Sequence, residues 1–151
     1  MRGRFCHAMK KVFDKGADDA FLREAGLIVT NQRRRIWKLI AGRQPVSIGS
    51  LIRKMQGTAK TTVYAVLRAL EANGLIYKIV SPAGTAYYAL CPPGGSRPDS
   101  YLHKYCPRCK KIYGKSLPGP SFPDLPGGFR AERFITVVKK TCRRCKAKYG
   151  R

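Results

Sequence analysis

Two Cys-x-x-Cys pairs, Cys106-Pro-Arg-Cys109 and Cys142-Arg-Arg-Cys145, stand 32 residues apart near the end of the chain. Zinc takes four soft ligands in a tetrahedron; one such turn supplies two thiolates on one side, and a second turn closes the site. Four thiolates leave no coordination position for a substrate, so the predicted metal is structural. The alternative is a redox dithiol, which needs one pair at a helix start, whereas two pairs beside strands are expected here. The chain from Pro93 onward, 59 residues with several prolines and glycines, has little core of its own. Structural zinc contributes on the order of 10 kcal/mol or more of folding free energy in small peptides, enough to decide whether such a unit folds.

The 151 residues include 31 Lys and Arg against 8 Asp and Glu, a formal charge of +23, with 44% hydrophobic residues. That suits one to two small folded domains. No run approaches the roughly 18 apolar residues of a membrane span. Residues 1–92 carry 16 basic and 5 acidic groups, and residues 93–151 carry 15 and 3. Both halves are basic, which disfavours a neutral enzyme with a basic tail. A polyanion is the expected partner: nucleic acid first, then an anionic membrane surface or an acidic protein. Arg2 and Arg4 are followed by Asp14, Asp18 and Asp19 without a long apolar run, so neither a secretory signal nor an acid-poor targeting peptide is expected, and the location read from this is cytoplasmic, beside the nucleoid. Paired carboxylates, a nucleophile with its base and a phosphate-cradling glycine loop are all lacking in the pattern, so neither an enzyme nor a small-molecule substrate is expected.

From Ala20 to Leu90 the pattern predicts three or four short helices and a hairpin. Thr30 is the expected N-cap of a helix with Ile36, Leu39 and Ile40 on one side and Arg33, Arg34, Arg35 and Lys38 around the rest. Ser47 caps a run in which Ile48, Leu51, Ile52 and Met55 share a face. A further helix, Lys60 to Asn73, aligns Val63, Val66, Leu67 and Leu70, with Gly74 at C′. Its opposite face holds Thr61, Tyr64, Ala65, Arg68 and Ala72. Leu75–Val80 and Thr85–Leu90 read as strands around the turn Ser81-Pro82-Ala83-Gly84. Helices followed by a hairpin are the order of a winged helix, whose last helix enters a major groove. The breakers of Cys91-Pro-Pro-Gly-Gly-Ser-Arg-Pro98 mark a boundary. Beyond it, Tyr101–Tyr105, Lys111–Tyr113 and Phe134–Val138 are strand-like, and the prolines of Leu117 to Gly128 exclude a regular helix there.

Leu22-Arg23, Gly26-Leu27, Thr30, Gln32-Arg33, Thr62-Val63-Tyr64, Gly74-Leu75 and the two Cys-x-x-Cys pairs together resemble the ferric-uptake-regulator (Fur) family over residues 20 to 146. The resemblance implies an α+β protein: a basic arm or helix (1–19), a winged-helix DNA-binding domain (20–91), a Pro/Gly hinge (92–98) and a small zinc-stapled α/β dimerisation domain (99–151). It implies a homodimeric repressor on double-stranded palindromic DNA, regulated by a second divalent metal. By position, Tyr64 resembles the residue that touches bases; the alternative is a tyrosine packed on a neighbouring helix. Thr61, Thr62, Lys60 and Arg33 are expected at phosphates.

Three departures stand out against the same resemblance. Ala65 and Ile28 stand where the family carries basic residues, with Arg68 the expected substitute. Of the regulatory ligands only Cys91, resembling the zinc-uptake-regulator branch, Asp99 and His103 remain; the alternative reads Cys91 as a buried thiol and His103 as a strand residue. The proline-rich segment replaces a helix, so a dimer would rest on pairing of the Phe134–Val138 strand. A rival reading from another class is an RNA-binding or ribosome-associated zinc ribbon, suited by Lys139, Lys140, Arg143, Arg144, Lys146 and Lys148.

Overall fold

The computed structural model describes residues 17–42, 44–91, 100–118 and 134–150. Most of the N-terminal arm, with Cys6, the 92–98 segment, Asp99 and most of the proline-rich stretch lie outside the described residues. In chain order the elements are α1 (Ala17–Glu24), α2 (Asn31–Ile40), β1 (Val46–Ser47), α3 (Ile48–Lys54), α4 (Lys60–Ala72), β2 (Ile76–Val80), β3 (Ala86–Leu90), β4 (Ser100–Cys106), β5 (Lys111–Pro118), β6 (Phe134–Lys139) and α5 (Arg143–Tyr149).

The helices start where their caps place them. Thr30 accepts from the Arg33 amide at 3.2 Å and Ser47 from the Ser50 amide at 3.2 Å, each satisfying a donor that the first turn leaves open. Gly74, at φ +68°, is the left-handed residue that ends α4. The α4 stripe Val63, Val66, Leu67 and Leu70 is buried against Ile36, Trp37, Ile40, Leu51 and Met55 in one core. Helix α1 docks on α2 through stacked Phe21 and Trp37 rings 5.1 Å apart and through Asp19, whose two oxygens take 2.7 Å hydrogen bonds from Arg34. That Arg34 hydrogen bond holds the Asp19 carboxyl below the usual carboxylate range.

The first sheet runs β1-β3-β2, all antiparallel. The short β1, which the sequence pattern did not reveal, pairs Val46 with Tyr88 and turns the hairpin into a three-stranded wing. Alternation divides the hairpin between two cores: Ile76, Tyr88 and, partly buried, Ala86 and Leu90 face the helices, while Tyr77, Ile79, Tyr87, Ala89 and Cys91 face the other way. That second face is covered by Tyr105 and Ile112 of the second sheet, with Ile135 and Val137 packed alongside.

The second sheet runs β5-β4-β6, with β4 antiparallel to β5 and parallel to β6. Strand β5 reaches Pro118, further than the expected Tyr113; a proline is tolerated there because β5 is an edge strand. Two buried clusters thus share one hairpin, joining the helical half to the cysteine-bearing half. Leu67→Ala, which empties the centre of the α4 stripe, is expected to cost about 2–5 kcal/mol in urea unfolding; a loss near zero would mean that α4 is not seated on this core.

Candidate metal centre and nucleic-acid interface

Cys106 ends β4, Cys109 closes the turn into β5, Cys142 caps α5, and Cys145 lies one turn into that helix. Their sulfurs all lie within 4.8 Å of one another, with Cys109 Sγ and Cys142 Sγ 3.9 Å apart. Zinc–sulfur bonds of about 2.3 Å in a tetrahedron separate the sulfurs by about 3.8 Å, so the donor set fits that ion. Cys106 and Cys145 are buried and Cys109 and Cys142 partly so; four thiolates would fill a zinc ion's coordination shell and leave no position for a substrate. The second pair follows β6, as the strand pattern led one to expect, but it also opens a helix. The convergence of four sulfurs, and not the local element, therefore disfavours a redox dithiol.

Backbone amides prepare the site. The Cys142 amide donates to Cys106 Sγ at 3.4 Å, and amides of Cys109, Cys142 and Arg108 hold the Cys106 thiol down to about 6. Burial pushes the Cys145 thiol up to about 12, helped by the neighbouring sulfurs. A zinc ion bound here would displace that proton. Lys110, at φ 55°, takes the left-handed conformation after Cys109, which carries the chain round to the Lys111 amide; that amide bonds the Cys109 sulfur.

The other expected site residues fall in two places. On α4, Tyr64 is 43% exposed, while Val63, Val66, Leu67 and Leu70 are buried behind it. Lys60, Thr61 and Arg68 are exposed on the same helix, and Thr62 is half-buried. Tyr64 is thus on the outward side of α4, away from its buried stripe. Arg33 is half-buried, with Nη1 donating to the Ile28 carbonyl, and Ile28 itself is 79% exposed.

Cys91 and His103 both border the seam between the sheets. Cys91 is buried in the seam cluster, and its amide donates to the Leu75 carbonyl at 3.0 Å. His103 is buried, shares a 3.2 Å hydrogen bond through Nε2 with the Tyr77 hydroxyl, and is pushed down to about 4 by burial. Its Nδ1 is buried without a hydrogen-bond partner. Tyr77 is the seam residue that sequence reading missed as part of this site; the signal was an aromatic on the strand face opposite Ile76. Cys106, Cys109, Cys142 and Cys145 form the one cluster of three or more metal-binding side chains among the described residues.

No family model matches the chain, and no curated protein matches it. Solved structures do. The ferric uptake regulator of Vibrio cholerae superposes with a TM-score of 0.58 at 18% identity, covering 82% of this chain and 98% of that one. The ferric uptake regulator of Pseudomonas aeruginosa with manganese gives 0.53 at 22%, covering 83% and 98%. A zinc uptake regulator complexed with zinc and DNA gives 0.58 at 17%, covering 86% and 91%. The chain has the fold of the ferric and zinc uptake regulators.

Two outcomes test the metal centre. The purified protein should hold zinc in the four-cysteine site, and Cys145→Ser should lose it and unfold the C-terminal half, read by metal analysis and circular dichroism. Metal occupancy should fall as pH falls, because each proton bound removes a thiolate ligand. Full occupancy in Cys145→Ser would place the metal elsewhere.

Proposed function

We propose that this protein is a Fur-type transcription regulator that binds double-stranded DNA as a homodimer and represses from a palindromic operator. The observation that carries the proposal is the exposed ring of Tyr64 on a helix whose opposite face is fully seated in the core. In a winged helix this is the element that enters a major groove. Tyr64 is the base-touching residue; Arg68, one turn further on, replaces the basic neighbour that Ala65 lacks; Lys60, Thr61 and Thr62 hold phosphates at the helix start. Arg33, whose Nη1 is bound to the Ile28 carbonyl and whose Nε is buried, has only the outer end of its guanidinium to offer a DNA phosphate. The likeness to a zinc uptake regulator in complex with zinc and DNA supports this assignment. The four cysteines hold structural zinc, and β6, an edge strand, pairs with its copy across a two-fold axis.

The regulatory metal of the proposal lies at the seam. His103 Nδ1 is a buried nitrogen with no partner, and Cys91 belongs to the adjoining cluster. With Asp99 they would hold a divalent cation that ties the wing to the zinc-bearing sheet.

Duplex selection with the purified protein should yield a preferred sequence. Tyr64→Ala should abolish that preference, and Arg68→Ala should lower affinity by about tenfold, the loss of one contact of roughly 1–3 kcal/mol, without changing the melting temperature. Retained preference in Tyr64→Ala would reject α4 as the reading helix. Metal analysis should give two zinc ions per chain, the weaker one governing DNA affinity; one tight zinc with no effect of chelator would mean binding without metal control.

A further inference from the structure

The zinc-bearing half has a charge pattern that the recognition-helix reading does not use. The segments 100–118 and 134–150 contain five and six Lys or Arg respectively and no Asp or Glu. Lys139, Lys140, Arg143, Arg144, Lys146 and Lys148 are all exposed, at the end of β6 and around α5. A zinc tetrathiolate carries a formal charge of about −2, so it balances only a small part of this set. The ion pairs among the described residues, Arg34–Asp19 and Lys38–Asp18, belong to the helical half.

The cost of this arrangement is local. Arg144 and Lys148 are four residues apart on α5 and Arg143 and Lys146 three apart, spacings at which like charges destabilise a helix. Only Cys145 of α5 is buried, so the metal site and not a core fixes the helix. Lys140, the residue after β6, is fixed as well: its amide donates to the Tyr105 carbonyl at 2.9 Å, and its carbonyl accepts from the Tyr113 hydroxyl at 3.0 Å. The cations are therefore held on a rigid mount. Beside them Tyr149 is 55% exposed, with the Arg108 guanidinium 5.5 Å and the Lys148 ammonium 5.3 Å from its ring centre. An exposed aromatic flanked by cations is the combination that grips a nucleic-acid strand through its phosphates and a stacked base or sugar.

We propose that this face of the zinc-bearing half is a second nucleic-acid contact, which holds the phosphodiester backbone without reading sequence. It stands apart from α4 and does not depend on Tyr64 reading bases. A lipid surface fits it less well, because Val138 and Tyr149 are the large apolar side chains that this half exposes among the described residues, too few to insert into a bilayer.

The test uses the full chain with Lys140→Gln, Arg144→Gln, Lys146→Gln and Lys148→Gln together, zinc content and circular dichroism being checked against the unaltered protein. Fluorescence anisotropy follows binding to random-sequence duplex DNA, to single-stranded DNA and to RNA over a salt series. The expected result is a slope of log affinity against log salt reduced by about 3 to 4, at about 0.9 per phosphate contact on duplex and somewhat less on single strands. Loss on duplex assigns a grip on double-stranded backbone, and loss on single strands alone assigns a single-stranded ligand; either supports the inference. Tyr64→Ala should leave the random-sequence slope unchanged, so a failure of the α4 reading shows separately as retained sequence preference in that variant. A folded, zinc-loaded quadruple variant with unchanged slope and affinity on all three probes would overturn the inference. So would unchanged nucleic-acid binding accompanied by lost binding to vesicles of phosphatidylserine and phosphatidylcholine.

Discussion

Four cysteine sulfurs within 4.8 Å of one another cannot all be thiolates unless a cation lies among them. That constraint organises the C-terminal half. Cys106 comes from the end of β4, Cys109 from the turn that starts β5, and Cys142 and Cys145 from α5, so one ion ties a sheet to a helix that has almost no apolar face. The amides aimed at Cys106, that of Cys142 at 3.4 Å among them, favour the thiolate form of that sulfur.

The influence of the centre reaches α4 through the hairpin. Strands β2 and β3 bury one face against the helices and the other against Tyr105 and Ile112, residues next to the zinc turn. The Tyr77–His103 hydrogen bond and a backbone hydrogen bond from Ile112 to Tyr87 are polar contacts across this seam. Each has a cost if broken, because the groups are buried. Pinning the second sheet therefore steadies the wing, and the wing with α2 and α3 steadies the helix that carries Tyr64. A change at the seam would be felt at that helix through packing alone.

Much of this was legible in the sequence where local chemistry decides. Thr30 and Ser47 announce helix starts because their oxygens satisfy open amides, and the spacing of Val63, Val66, Leu67 and Leu70 fixes which side of α4 is outward. The paired cysteines announce their own convergence. Less legible was whatever depends on distant partners. Helix α5, Arg-Arg-Cys-Lys-Ala-Lys-Tyr, has no apolar period because a metal site fixes it. Strand β1 is two residues long and exists because Tyr88 and Tyr87 lie opposite. The two-sided burial of the hairpin was written in Ala86-Tyr87-Tyr88-Ala89-Leu90, apolar at both parities, as befits a strand covered on both faces. The role of Arg34 was hidden as well: a run of three arginines reads as one basic face, yet its middle member is committed to Asp19.

X-ray absorption at the zinc edge of the purified protein, after a chelator has removed the weakly held ion, tests the account at its base. Four sulfur neighbours at about 2.3 Å would establish the tetrathiolate centre on which the sheet, the seam and the seated helix depend. Mixed oxygen or nitrogen ligation at the tightly held ion, or a protein free of metal with its thiols joined as disulfides, would contradict it.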